Sequence, residues 1–203
     1  LGEAAAPGGL ILAEPGFRVR AVTLDHHTPV LAYAFEPDAE LNVRKDRLRA
    51  SRLKPGPWLN ELKQRLRSGE EQAPLTLPNG DVRKVAELAR DLILTTPGKR
   101  LVYATDLGDT PENRKRLVGL AHHAHTLFLE ASFAEAENRH AALNGHLTAR
   151  ACGEMAQAAG VSHLVPFHLS RRYAGNPRIV FDELTAACPR AVIPDLPDFR
   201  KRT

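Results

Sequence analysis

The 203 residues contain only two cysteines, one tryptophan and one methionine, and aromatics make up 5% of the chain. Cys152 and Cys188 lie far apart and show no Cys-x-x-Cys spacing, so neither a disulfide framework nor a structural zinc knuckle is implied. No stretch approaches the roughly eighteen consecutive apolar residues that a membrane span needs, and residues 1–12 lack the basic start of a signal peptide. A reducing cytoplasm and no membrane partner are the expectation. A formal charge of +4 is a mild basic excess that suits an anionic ligand without demanding one. The basic runs at residues 44–52 and 63–67 have few aromatics nearby for base stacking, and they read as solvated faces.

What is present is ordinary globular composition, 43% apolar and 26% charged, enough for a single domain over residues 1–203. Residues 17–24 alternate apolar and basic side chains and predict a strand, which would pair with a second at 29–35 across Asp25 to Thr28. Residues 36–56 are charged and poorly periodic and read as loop. Pro57 then opens a short helix with Trp58, Leu59, Leu62 and Leu66 on one face. Turn chemistry fills 69–81, and 82–93 has helical spacing. From there the chain alternates: strand 101–105, a helix from Pro111 capped by Thr110, strand 126–130, helices 134–143 and 148–159 with Gly160 closing the second, strand 161–167, and helix 178–187. That order predicts a sheet covered by helices.

Several chemistry-bearing side chains fall where these elements end. Asp106 follows an apolar strand and would project into a turn, where a carboxylate can bridge two cations. Capping the helix at Pro111 is the alternative, although Asp109 and Thr110 are better placed for it. His168 ends the strand Leu164-Val165-Pro166-Phe167, and a zinc ligand and a backbone-satisfied core histidine are equally open readings. His26 and His27 occupy the bend between the first two strands; alternation turns one inward as a candidate ligand, against the plainer reading of a solvated turn. His146 follows the turn Asn144-Gly145 and is a candidate general acid or an incidental loop histidine. Arg171 and Arg172, directly after His168, match phosphate geometry or form a surface charge pair.

Taken together, Leu24-Asp25-His26, Asp106, Glu130-Ala131-Ser132-Phe133, His146-Leu147-Thr148 and Phe167-His168-Leu169-Ser170-Arg171-Arg172-Tyr173 resemble, in order and spacing, the ribonuclease Z branch of the metallo-β-lactamase-fold hydrolases over roughly residues 17–173. The resemblance implies an α/β metallo-β-lactamase sandwich of mixed sheets flanked by helices. It implies two zinc ions, with His26, Asp106 and His168 as ligands and Asp106 shared between them. His146 would donate the proton, Glu130 would orient it, and Arg172, Arg171 and Thr148 would meet the substrate. That substrate would be precursor tRNA, cut at its 3′ trailer, and the assembly a homodimer. Relatives on this scaffold also hydrolyse small esters and cyclic phosphodiesters, and a metal-free scaffold half is a third reading.

The resemblance has one large gap. The family's His-x-His-x-Asp-His signature occurs nowhere in these residues. His26, Asp106 and His168 would then leave each zinc with two protein ligands, whereas a catalytic zinc ordinarily has three plus water. The expectation is therefore the second half of such a domain, lacking part of the N-terminal half. The inner face of its sheet would lie uncovered unless another segment packs there.

Overall fold

A computed structural model describes residues 6–194. Its elements run β1 (Leu10–Glu14), β2 (Phe17–Asp25), β3 (Pro29–Pro37), β4 (Glu40–Val43), α1 (Lys45–Ala50), α2 (Trp58–Arg67), β5 (Pro74–Thr76), β6 (Val82–Lys84), α3 (Val85–Leu92), β7 (Ile93–Thr96), β8 (Leu101–Ala104), α4 (Pro111–Ala121), β9 (Thr126–Glu130), α5 (Asn138–Leu143), α6 (Ala149–Ala159), β10 (His163–Phe167) and α7 (Arg178–Ala187). The chain divides into two compact units, one made of the residues up to Pro37 and from Lys99 onward, the other of Asp38–Gly98. The single-domain expectation thus meets a larger unit that is discontinuous in sequence. Its two parts are joined by the antiparallel pairing of β3 with β8.

The larger unit is built on a six-stranded mixed sheet in the order β1-β2-β3-β8-β9-β10. The first four strands pair antiparallel, and β8, β9 and β10 run parallel, joined by α4 and then by α5 and α6. The hairpin register matches Asp25 to Pro29 and Leu24 to Val30, so the bend falls on His26-His27-Thr28 as the turn chemistry predicted. Thr110 caps α4 by accepting from the Asn113 N–H, and Thr148 caps α6 by accepting from the Ala151 N–H. Gly160 ends α6 in the left-handed conformation, at φ 65°.

Among the described residues, the helices of this unit cover one face of the sheet. Leu24, Ala32, Ala34, Val102, Ala104, Leu127, Leu129 and Leu164 point into a core shared with Leu117, Leu120, Met155, Ala156 and Leu184. The alanines among them let the helix layer come close. The same strands are apolar on the opposite face too. Tyr33 stands opposite Tyr103, and Phe35 opposite Leu101. Tyr103 is 46% exposed while its neighbour Ala104 is fully buried. Leu31, Phe35 and Leu101 are exposed in the same way. Phe17 packs on Phe35 at 5.1 Å between ring centroids, and Tyr103 stacks on Phe167 at 5.1 Å. A contiguous apolar patch of this kind marks a surface built to be covered.

The smaller unit has its own core of Leu48, Trp58, Leu62, Leu75, Leu77, Val85, Leu88, Leu92 and Ile93. Two antiparallel pairs, β4 with β7 and β5 with β6, accompany its helices. Trp58 satisfies its indole N–H on the Lys54 carbonyl at 3.0 Å. Among the described residues no helix is long and apolar enough to cross a membrane.

Candidate active site

The three parallel strands end side by side, and just beyond their C-terminal ends stand Asp106 after β8, Glu130 closing β9 and His168 after β10. Ligand sites in open α/β sheets form outside the carboxyl ends of parallel strands, where loops diverge and leave a crevice. His146 joins them from the loop before α6. Ligand atoms of Asp106, Glu130, His146 and His168 all lie within 4.8 Å of one another. Sequence reasoning had named all four from segments that are distant along the chain.

Glu130 is the hub. Its carboxylate is fully buried. Oε1 accepts the Leu107 N–H at 2.9 Å, and Oε2 accepts from His146 Nδ1 at 2.7 Å. Ser132 Oγ lies 2.9 Å from Oε2 and 2.8 Å from the His168 carbonyl oxygen, so its one proton can serve either. A buried carboxylate is tolerable only when its oxygens are satisfied in this way. The consequence for His146 is a fixed tautomer: with Nδ1–H donated to Glu130, Nε2 is the nitrogen left for chemistry. His168 Nδ1 is 3.3 Å from Glu130 Oε2 and 3.5 Å from Asp106 Oδ1.

His26 is half-buried and donates Nδ1–H to the Gly145 carbonyl at 2.7 Å, which frees its Nε2. Its ring centroid is 4.7 Å from that of His146. His27 is exposed, the alternation expected of a tandem pair. Gly145 is required between them. Its φ is 69°, and a Cβ there would sit 2.8 Å from His26 Nδ1.

The backbone around the cluster is strained. His27, Asp106 and His168 have φ of 60°, 55° and 58°, in the left-handed region that non-glycine residues enter at a cost. Among the described residues only Arg52 and His123 share that conformation outside glycine. Asp109 forms an ion pair with Arg114, with Oδ2 2.9 Å from Nη2, and Thr110 supplies the helix cap, so capping does not explain Asp106.

Two positioning residues escaped the sequence reading. Asn113, nearly buried in the first turn of α4, accepts the Asp25 N–H at 2.9 Å and donates to the carbonyls of Asp25 and Gly108, each at 2.8 Å. It ties the end of β2 to the loop that carries Asp106. Ser132 does the same between Glu130 and His168. An asparagine in the first turn of a helix and a serine after a strand are too common to stand out without the fold.

Two residues expected to meet substrate are committed elsewhere. Arg172 pairs with Glu137 and lies over the Phe133 ring, 5.1 Å from its centroid, rather than standing free for phosphate. Thr148 is buried, capping α6 and donating its hydroxyl to Glu135 Oε2 at 2.8 Å. Arg171 is exposed. Behind Glu130, burial foremost and then the Glu130 charge push the Cys152 thiol well above its ordinary range, so it stays protonated and takes no part in the cluster.

Comparison with known proteins places the chain. The model of the beta-lactamase superfamily domain matches residues 62–169, more than half of it. Ribonuclease Z of Deinococcus radiodurans is 36% identical over 165 residues, covering 81% of this chain and 48% of that protein. Ribonuclease Z of Halalkalibacterium halodurans is 33% identical over 168 residues, with 81% and 49% covered. The chain spans about half the length of these relatives. Among solved structures, the metallo-beta-lactamase fold protein YhfI of Bacillus subtilis superposes with a TM-score of 0.53 at 14% identity, over 95% of this chain and 52% of that one. A matching domain model, a shared fold and a site at the strand ends agree: the chain belongs to the beta-lactamase superfamily, with the metallo-β-lactamase fold, and is similar within it to ribonuclease Z.

Proposed function

We propose that these residues form one half of the active site of a zinc-dependent phosphodiesterase of the ribonuclease Z type, which cuts precursor tRNA at its 3′ trailer and works as a cytoplasmic homodimer. The observation that carries this reading is the Glu130–His146 hydrogen bond, held beside Asp106 and His168. A histidine oriented by a buried carboxylate, with its second nitrogen free, is built to move a proton at a fixed point.

The donor chemistry suits zinc in part. His26 and His168 offer nitrogen and Asp106 oxygen, the ligand types that zinc takes, while Glu130 is engaged by Leu107, His146 and Ser132. Three donors spread over two ions, with Asp106 shared, leave each short of the usual three protein ligands. The missing donors and a cover for the apolar sheet face would both come from one further segment, in the same polypeptide or a second one. Zinc, when bound, would supply a nucleophile at neutral pH and neutralise charge on phosphorus. This chain's own contribution is different: Glu130 fixes the His146 ring by accepting its Nδ1–H, and His146 as imidazolium gives its Nε2 proton to the departing oxygen, which leaves the neutral Nδ1–H ring. Arg171 would steer the phosphate.

The test is zinc content and hydrolysis of a precursor tRNA, measured on the complete polypeptide with its mass verified. Zinc with cleavage is expected. In Asp106→Ala zinc should be lost from both positions, whereas His146→Ala should keep its zinc and lose on the order of 10²–10⁴-fold in rate. Zinc content in Asp106→Ala equal to wild type would sink the shared-ligand assignment, and cleavage of small diesters but not RNA would move the substrate to that class.

A further inference from the structure

A cavity of about 460 Å³ opens beside His146, lined also by His27, Glu135, Asn138, Arg139, Ala142 and Gly145. Resting on the phosphodiesterase reading, we propose that this cavity receives the ribonucleoside whose oxygen leaves when the phosphodiester is cut. Its size is that of pockets that hold small organic ligands. His146 belongs both to the cavity lining and to the Asp106–His168 cluster, so an oxygen protonated by His146 departs at the edge of the cavity.

The character of the wall selects a neutral, hydroxyl-rich group over a second phosphate. Asp25 and Glu135 contribute carboxylates against the guanidinium of Arg139, while the Asp109 carboxylate is paired with Arg114. An anion placed there would meet net negative charge, while a ribose offers hydroxyl donors that carboxylates accept. Ala141, Ala142 and Gly145 give a small-residue floor against which a flat base can lie. His27, with φ of 60°, has its ring atoms 3.1–3.2 Å from where a Gly145 Cβ would be. That arrangement presents an exposed imidazole edge to the base. Asn138 adds an amide able to donate and accept.

The experiment is a titration of the 203-residue chain, with ring-labelled histidine, by uridine and in a separate series by inorganic phosphate, followed by NMR. Uridine should shift the His27 and His146 ring resonances saturably, and phosphate should leave His27 unmoved. Ala142→Trp, which fills the cavity from an exposed position, should weaken uridine binding by about tenfold or more, and Asn138→Ala by a smaller factor. Rings of His27 and His146 unmoved by uridine, a His27 shift with phosphate, or wild-type uridine affinity in both variants, would overturn the proposal. Uridine carries no phosphorus and requires no metal. Zinc binding and cleavage without uridine binding therefore sink this subsite alone, whereas uridine binding without zinc or cleavage sinks the phosphodiesterase reading.

Discussion

The two faces of the six-stranded sheet are made by the same strands and have opposite fates. On one, Ala32, Ala34, Val102 and Ala104 are fully buried beneath the helix layer. On the other, Leu31, Tyr33, Phe35, Leu101 and Tyr103 stay exposed, although their side chains are larger and carry more apolar surface. A strand at a solvated face normally alternates apolar with polar residues, and a strand apolar on both sides is one that is covered on both sides. In β3 the small residues lie under the helices and the large ones face outward, so most of the strand's capacity for burial sits on the open side. The Asp106–Glu130–His168 edge adjoins these strands and is well ordered by hydrogen bonds. On the proposed reading, one further segment would supply both the apolar cover and the remaining metal ligands.

The largest expected effect separates the faces directly. Leu127→Ala removes a fully buried side chain beneath the helices and should cost about 2–5 kcal/mol in urea unfolding. Tyr103→Ser, on the neighbouring strand but facing outward, should cost this chain no more than about 1.5 kcal/mol, the worth of its stacking on Phe167, and raise its solubility. A loss of several kcal/mol in Tyr103→Ser would show that the open face is already packed, and the comparison would fail. In a polypeptide that contains the covering segment, the same substitution should become strongly destabilising.

A smaller effect tests how tightly the cover itself is fitted. In α6, Gly153 lies against α7 so closely that an added Cβ would come within 2.5 Å of the Ala187 Cβ. Gly153→Ala raises helix propensity but overpacks that crossing, and the second effect should win by about 1–3 kcal/mol. The readout is the shift in the unfolding midpoint. A stabilised variant would mean that α7 can move away from α6 freely.

How much of this was legible in the sequence depended on periodicity. The strands and helices of the larger unit announce themselves through alternation, through Thr110-Pro111 and Thr148 as helix starts and through Gly160 as a stop, and they stand within a residue or two of expectation. The exceptions are short. Residues 134–143, expected as one helix, form a 3-10 turn and then α5, and β1 at Leu10–Glu14 was not anticipated. The smaller unit hid more. Strands of three or four residues, such as β4, β5 and β7, are too brief to show a period, α1 lies in a charged stretch, and Val82–Lys84 belongs to a strand where helical spacing had been extended to include it. At the site, His26, Asp106, His146 and His168 could be nominated from where they fall at element ends. The centrality of Glu130 could not, because it arises from burial and from four partners that only the folded chain assembles.

The smallest expected effect asks whether charge or apolar burial holds the helix cover in place. Glu154 on α6 binds Arg114 of α4 at 3.1 Å and Arg150 of its own helix at 3.0 Å. These guanidiniums, Arg150 first, hold the Glu154 carboxyl below the usual range. A depressed carboxylate pKa stabilises the folded state at pH values above the unfolded group's pKa, and that contribution fades as pH falls through the folded value. Glu154→Gln should therefore be slightly less stable than wild type at neutral pH, and the gap should close on acidification below the ordinary carboxylate range. The groups are partly exposed, so the gap should also shrink with added salt. Urea unfolding at neutral and acidic pH, each at low and high salt, measures it. A gap as large as that of Leu127→Ala would mean that the α4–α6 ion pair rather than the buried leucine and alanine layer fixes the covered face. The contrast between the two faces would then be one of charge tethering as much as of burial.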